Sequence, residues 1–261
     1  MKHIQKLEDG ESGAGSVNVV RRLGNTVIRP TGPWSSAVHE LLRHLLHAGF
    51  DYSPRVVGID EHLGTEQLTY LEGEVAMRPW PRIVRSESGI EQIGLMLRKY
   101  HESVSTFRPS SKAIWRIPDL LWETGMIIRH GDLGPWNMVW SEERLVGLID
   151  WDFAEPGLPI DDVAQVAWYC IPLRSIQCVE CGVETCELPK RLSILCCAYG
   201  VRAEYVVEAL TGLQKREIHR LQYLAQRGVE PWVTFKARGD LEKMLQESEW
   251  LHEFKRHLGC S

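Results

Sequence analysis

The sequence lacks any long apolar run. None approaches the ~20 residues that a membrane-spanning helix needs. The opening MKHIQKLEDGESG is charged and carries no long apolar stretch, so no secretory leader is expected either. A strong charge of one sign is missing as well. With 30 Lys and Arg against 35 Asp and Glu, the formal net charge is -5, which argues against general nucleic-acid binding. There is no paired cysteine framework. The 7 cysteines are odd in number and mostly scattered, which fits a reducing cytoplasm. Internal repeats and low-complexity linkers are absent. What remains is a 261-residue chain, 44% hydrophobic and 25% charged, long enough for one large domain or two small ones around a sizeable core.

The charge is unevenly spread. Between Pro118 and Lys190 stand 13 Asp and Glu against 4 Lys and Arg, a balance of -9. An acidic middle suits metal ions or cationic partners. The plainer reading is a solvated acidic surface.

The first seventy residues read as a small antiparallel sheet with one helix. SVNVVRRL and TVIRP form two strands joined at Gly24-Asn25, a tight-turn signal. The stretch SSAVHELLRHLLHAGF is a helix with Ser35 or Ser36 as its cap. Val38, Leu41, Leu42 and Leu45 lie on one face, and Gly49 ends it. PRVVGID and EQLTYLEG add two strands. The pattern then turns helical, with Ile90, Ile93, Leu97, Tyr100 and Val104 sharing a face. Pro159 precedes a helix over IDDVAQVAWY. From Leu188 onward the tail is mostly helical, with Pro189 suiting a first turn and Gly200 and Gly228 suiting helix ends. A hinge near Tyr70–Glu74 divides the chain into an N-terminal part, residues 1–72, and a C-terminal part, residues 73–261.

The chemistry concentrates in IIRHGDLGPWNMVW and RLVGLIDWDF. Asp132 and Asn137 are five apart on one loop, and Asp150 follows thirteen residues after Asn137. A strand, a turn and a strand fill that interval, enough to fold Asp150 back beside Asn137. The pair would offer two hard oxygen ligands to Mg2+, which completes its shell with phosphate oxygens and water. That predicts a phosphate-bearing partner. Asp132, left free nearby, is placed to accept a hydroxyl proton and orient a nucleophile. Asp152 either assists a second metal or stabilises a turn.

HGDLGPWN followed by LIDWD resembles the catalytic and metal-binding motifs of the aminoglycoside phosphotransferase family, small-molecule kinases that include choline-kinase-like and homoserine-kinase-like members. The resemblance implies an α+β, two-lobed, protein-kinase-like fold: a small N-terminal antiparallel sheet with a helix, and a larger helical C-terminal lobe with the catalytic loop. It implies ATP or GTP with Mg2+ in the cleft and transfer of the γ-phosphate to a hydroxyl of a small molecule. Asp132 resembles the catalytic base, and Asn137 and Asp150 the metal ligands. His130 resembles the residue that braces the loop. Asp162 resembles the acid that starts a helix behind the site and steadies the loop. The adenine is expected at the hinge, near Tyr70 and Leu71. The acidic middle favours an amine-bearing acceptor such as an aminoglycoside. A metabolite kinase of the same fold and a non-catalytic nucleotide-binding regulator are the alternatives. A protein kinase is disfavoured, because IDWDF reaches IDDVA in under ten residues, too few for a long activation segment.

The chain departs from the kinase pattern in two places. Arg29 in TVIR stands where a strand-three Lys would hold phosphates and pair with a helix Glu. Glu40 is the only acid in the helix and points away from its apolar face, with His39 at the edge of that face, so Arg29 has no assigned partner. Gly10, Gly13 and Gly15 form a Gly-rich loop out of the usual order, with Gly13 and Gly15 as candidates for covering phosphates. Cys178, Cys181 and Cys186 have one zinc-like spacing but no second pair, so a variable loop is the better reading. Most of the 10 tryptophans read as packing.

Overall fold

The computed structural model describes residues 12–14, 19–174 and 181–257. Five antiparallel strands form the N-terminal sheet: β1 (Ser12–Ala14), β2 (Val19–Leu23), β3 (Thr26–Pro30), β4 (Val56–Asp60) and β5 (Thr65–Thr69), in the order β1-β2-β3-β5-β4. The β2–β3 turn falls at Gly24-Asn25, where Gly24 takes a φ of +57° that a side chain would disfavour. Helix α1 (Ser35–His47) packs its Val38, Leu41, Leu42 and Leu45 face inward, all under 2% exposed. Its N-terminus differs from expectation. Trp34 occupies the cap position without a side-chain bond, and Ser35 instead accepts from the Gly32 N–H at 2.9 Å. Its C-terminus closes at Gly49. The Gly49 N–H donates to the Leu46 carbonyl and the Phe50 N–H to the Leu45 carbonyl, which satisfies two carbonyls the helix leaves open.

The chain leaves this sheet at Thr69 and enters a second one at β6 (Glu74–Val75). There it pairs with β8 (Met138–Ser141), and β8 pairs with β9 (Arg144–Leu148). A third ladder joins β7 (Ile127–Arg129) to β10 (Glu155–Gly157). Among the described residues the further helices are α2 (Arg82–Arg85), α3 (Glu87–Val104), α4 (Pro159–Tyr169), α5 (Leu188–Tyr199), α6 (Ala203–Gln226), α7 (Trp232–Ala237) and α8 (Asp240–His257). Ser86 caps α3 by accepting from the Gly89 N–H at 3.0 Å. The five α3 residues expected on one face are all buried, and Tyr100 reaches across to donate its hydroxyl to the Ile128 carbonyl. Alpha-helical spacing thus puts an apolar wall of α3 directly behind β7, the strand that leads into the HGDLGPWN loop. No described helix is long and apolar enough to cross a membrane.

Candidate functional site: a braced loop between two lobes

The loop after β7 is held from behind by buried polar contacts. His130 is fully buried. Its backbone N–H donates to Asp162 Oδ2 at 3.0 Å, and its Nε2 faces the Ile149 carbonyl at 3.1 Å. The Asp132 N–H donates to His130 Nδ1 at 3.2 Å. One ring nitrogen therefore donates and the other accepts, which is the pattern of neutral imidazole. Burial, opposed mainly by the Asp162 charge, lowers the His130 pKa to about 4. Asp162, in the first turn of α4, is also fully buried. Burial alone would raise its pKa, but the bond from His101 and the charges of His101 and Arg129 more than reverse it. Gln165, one turn further on, receives the Leu133 N–H at 2.9 Å and donates to the Gly131 carbonyl at 2.8 Å. Gly131 turns the loop with a φ of +79° against the Phe153 backbone.

Asp132 and Asn137 meet within this loop. The Asn137 amide nitrogen donates to the Asp132 carbonyl at 2.9 Å and to Asp132 Oδ2 at 2.8 Å, and Trp136 Nε1 approaches the same oxygen at 3.4 Å. With its nitrogen so engaged, the Asn137 carboxamide has its oxygen as the remaining end. Across the β8–β9 hairpin the Ile149 N–H donates to the Asn137 carbonyl at 2.9 Å, so Asp150 follows immediately beside it. Asp150 sits in the left-handed region (φ 61°, ψ 67°), half-exposed at the mouth of the cleft. Burial, then the Asp150 charge, pushes the Asp132 carboxyl up to about 7, against the bonds from Asn137 and Trp136. Burial and Asp152 likewise push Asp150 up, against Arg29 and Arg116.

The donor set suits Mg2+: one carboxylate and one carboxamide oxygen at adjacent strand ends, leaving most of an octahedral shell to phosphate and water. Among the described residues no group of three or more His, Cys, Asp or Glu side chains is arranged to hold a metal. An all-protein cage is therefore not what this cleft offers.

Arg29 reaches the cleft from β3. Its Nε donates to Glu66 Oε1 at 2.5 Å, its Nη2 to Asp152 Oδ1 at 2.7 Å, and its Nη1 approaches Asp150 Oδ1 at 3.5 Å. Glu66 lies directly opposite Arg29 in the β3–β5 ladder, and its second oxygen accepts from His39 Nε2 on α1. Glu40 is exposed. Asp152, only 4% exposed, also takes Arg116 Nη1 at 3.4 Å. Arg116 lies between the Trp34 and Phe153 rings, 4.1 and 4.8 Å from their centroids. Sequence reading passed over Glu66, Arg116, Gln165 and His101. For Glu66 one signal was present: it alternates with Leu68 on the inward face of β5, where an acid needs a buried partner.

Other expected positions are placed as follows. The Tyr70 N–H donates to the Asn25 carbonyl at 2.8 Å and its ring lies under Arg22, while Leu71 packs against Gly147. Gly13 lies in β1 opposite Val20, and Gly10, Gly15 and Cys178 fall outside the described residues. Cys181 is buried and Cys186 exposed, both as free thiols. Several acids of the 118–190 segment are neutralised by arginines from outside it. Arg216 binds Asp161, Arg220 binds Glu155, and Arg29 and Arg116 bind Asp152. These pairs remove part of the segment's negative charge, and Asp150 itself stands 3.5 Å from Arg29.

A two-lobed kinase-like chain with an H-x-D-x-x-x-x-N loop and a metal-compatible Asp on the following hairpin defines the class. The solved structure of a choline/ethanolamine kinase family protein from Mesorhizobium loti superposes with a TM-score of 0.63 at 19% identity, covering 96% of this chain and 91% of that one. The GDP complex of aminoglycoside 2'-phosphotransferase-IIIa gives a TM-score of 0.62 at 15% identity, covering 94% and 93%. Residues 110–179 match the phosphotransferase enzyme family, so the resemblance to aminoglycoside phosphotransferases is borne out over the segment that holds the HGDLGPWN and LIDWD motifs. The trifolitoxin immunity protein of Rhizobium leguminosarum bv. trifolii is 43% identical over 162 residues, 60% of this chain. That match spans 59% of the relative's length.

Proposed function

We propose that this chain is a phosphotransferase that moves the γ-phosphate of ATP or GTP to a hydroxyl of a small molecule, with Asp132 as the catalytic base. One observation supports the reading: Asp132 Oδ2 accepts from the Asn137 side chain, while the hairpin pairs Ile149, the residue before Asp150, with the Asn137 carbonyl. An acceptor hydroxyl at Asp132 would give up its proton to a carboxylate held in place by the Asn137 amide and approached by Trp136 Nε1. Asn137 and Asp150 would hold Mg2+, whose charge would offset that of the transferring phosphate. Arg29 would bind phosphate oxygens through its Nη edge. Strands β1 and β2, with Gly13 in β1, would lie over the phosphates. Because the Tyr70 N–H already serves Asn25, a base at the hinge would meet the Tyr70 carbonyl or the Leu71 amide. His130 and Asp162 act as braces for the loop, not as proton carriers.

The acceptor is a hydroxylated small molecule. An aminoglycoside is one candidate; its amines would have Asp132 and Asp150 to meet, and not a broad acidic wall. A metabolite kinase would use the same machinery. The trifolitoxin immunity relative favours a second form of the reading, in which phosphorylation disarms an antimicrobial compound. The test is incubation with labelled ATP and a panel of aminoglycosides, trifolitoxin, amino alcohols and neutral sugars, followed by mass spectrometry of each acceptor. A phosphorylated acceptor supports the reading. Nucleotide binding without phosphorylation of any panel member favours the non-catalytic regulator.

A further inference from the structure

Arg29 is 8% exposed, and a guanidinium so buried must be paired. In the kinase fold the basic residue on strand three is held by a glutamate of the neighbouring helix. Here α1 offers a single acid, Glu40, and it faces solvent. Among the described residues three acids reach Arg29, namely Glu66, Asp152 and Asp150, and none is on the helix; the one that takes its Nε is Glu66, on strand β5. We propose that Glu66, backed by His39, is the positioning residue that aims Arg29 at the nucleotide phosphates, so that the strand ladder and not the helix sets the phosphate-binding cation. This rests on the phosphotransferase reading above.

Three observations support it independently of motif. Arg29 and Glu66 are directly paired residues of β3 and β5, and paired residues on one face of a sheet sit about 5 Å apart with side chains in reach. Register, once fixed, cannot drift without turning both strands over. Second, Glu66 takes Nε, on the stem side of the guanidinium, at 2.5 Å. That leaves Nη1 toward the half-exposed Asp150 at 3.5 Å, while Nη2 is bonded to the buried Asp152 at 2.7 Å. The forked edge free of Glu66 is the one that matches phosphate geometry. Third, Glu66 is 1% exposed and its other oxygen accepts from His39, itself 3% exposed, so the carboxylate is held at both ends. From α1, His39 bonds the acid and not the arginine. A purely structural alternative is that Glu66 only neutralises a buried charge. In that case it would stabilise the fold without affecting which nucleotide binds.

The two are separated by calorimetric titration of ATP and adenosine, each with Mg2+, into wild type, Glu66→Gln, Arg29→Gln and the double variant. Adenosine reports the hinge and the integrity of the fold; the ratio of ATP to adenosine affinity reports the phosphate grip. The expected result is an adenosine affinity that holds in every folded variant. The ATP-to-adenosine ratio should fall at least about ten-fold in Glu66→Gln, as for loss of a charge-assisted contact. Arg29→Gln should fall at least as far, and adding Glu66→Gln to it should bring no further loss, since the acid acts through the arginine. Should Glu66→Gln fail to bind adenosine or melt cooperatively, His39→Gln keeps both charges and should lower the ratio in the same direction by a smaller factor. An unchanged ratio in every folded Glu66 and His39 variant overturns the proposal, as does full additivity in the double variant. A wild-type protein that binds ATP no better than adenosine defeats the phosphotransferase reading itself. That outcome is visible before any variant is compared.

Discussion

The Ile149 N–H donates to the Asn137 carbonyl at 2.9 Å. This bond continues the β8–β9 ladder past Met138 and Leu148 and brings Asn137 and Asp150, thirteen apart in sequence, to the same end of a hairpin. If their oxygens share a cation, Asn137→Ala and Asp150→Ala should each raise the Mg2+ concentration needed for half-maximal activity by at least about 10-fold. Asn137→Asp, which keeps a hard oxygen, should fall in between. Activity titrated against Mg2+ reads this directly, and an unchanged Mg2+ requirement in both alanine variants contradicts the assignment.

Gln165 holds the HGDLGPWN loop with two bonds, to Leu133 and Gly131. Gln165→Leu keeps the bulk and strips both partners. Each orphaned backbone group should cost about 1–3 kcal/mol if it stays dry. Denaturant unfolding should show the loss, and turnover should drop more than nucleotide affinity, because the loop and not the nucleotide site has been loosened.

Two glycines separate backbone strain from crowding. Gly24 and Gly131 both have positive φ, but a Cβ at Gly24 meets nothing within 4 Å, whereas at Gly131 it would lie 2.0 Å from the Phe153 carbonyl oxygen. Gly24→Ala should cost about 1 kcal/mol from conformation alone. Gly131→Ala should cost clearly more, and should also displace Asp132 and lower turnover. Paired thermal melts test the ranking.

His130 and Asp132 drive stability in opposite directions with pH. The folded-state pKa of His130, about 4, lies below its ordinary 6.5, so the unfolded chain takes up the proton first. Its contribution is complete above pH 6.5 and is lost as pH falls toward 4, about 3 kcal/mol in all. Asp132 is raised to about 7, so the folded state holds its proton longer and stability drains as pH rises from about 4 toward 7. In wild type the two slopes oppose. Asp132→Asn should therefore unmask a stability that climbs with pH across 4 to 6.5, and His130→Gln one that declines. Denaturant midpoints at stepped pH, with a chelator present, check both slopes.

Much of this was legible because it is local in sequence. The helical faces of α1 and α3 follow from spacing alone, and the HGDLGPWN and LIDWD stretches carry their own chemistry over a few residues. The N-terminus of α1 was misread because Ser35 is used inside the first turn, to receive Gly32, and not before it. The Arg29–Glu66 pair escaped because it spans 37 residues and depends on the register of β3 against β5, which alternation does not set for two strands that do not follow each other. The pairing of the acidic middle escaped for the same reason. Its counter-charges, Arg216 and Arg220, arrive from α6, 55 and 65 residues away from the acids they bind.

The central claim is that Asp132 takes the proton of an acceptor hydroxyl. The most direct measurement is acceptor-dependent ADP release by wild type and Asp132→Ala, run beside ATP binding to both. The account predicts release stimulated by at least one hydroxylated small molecule in wild type. In Asp132→Ala that release should fall about 10²–10⁴-fold with ATP affinity retained. Acceptor-stimulated release that survives undiminished in Asp132→Ala would contradict it.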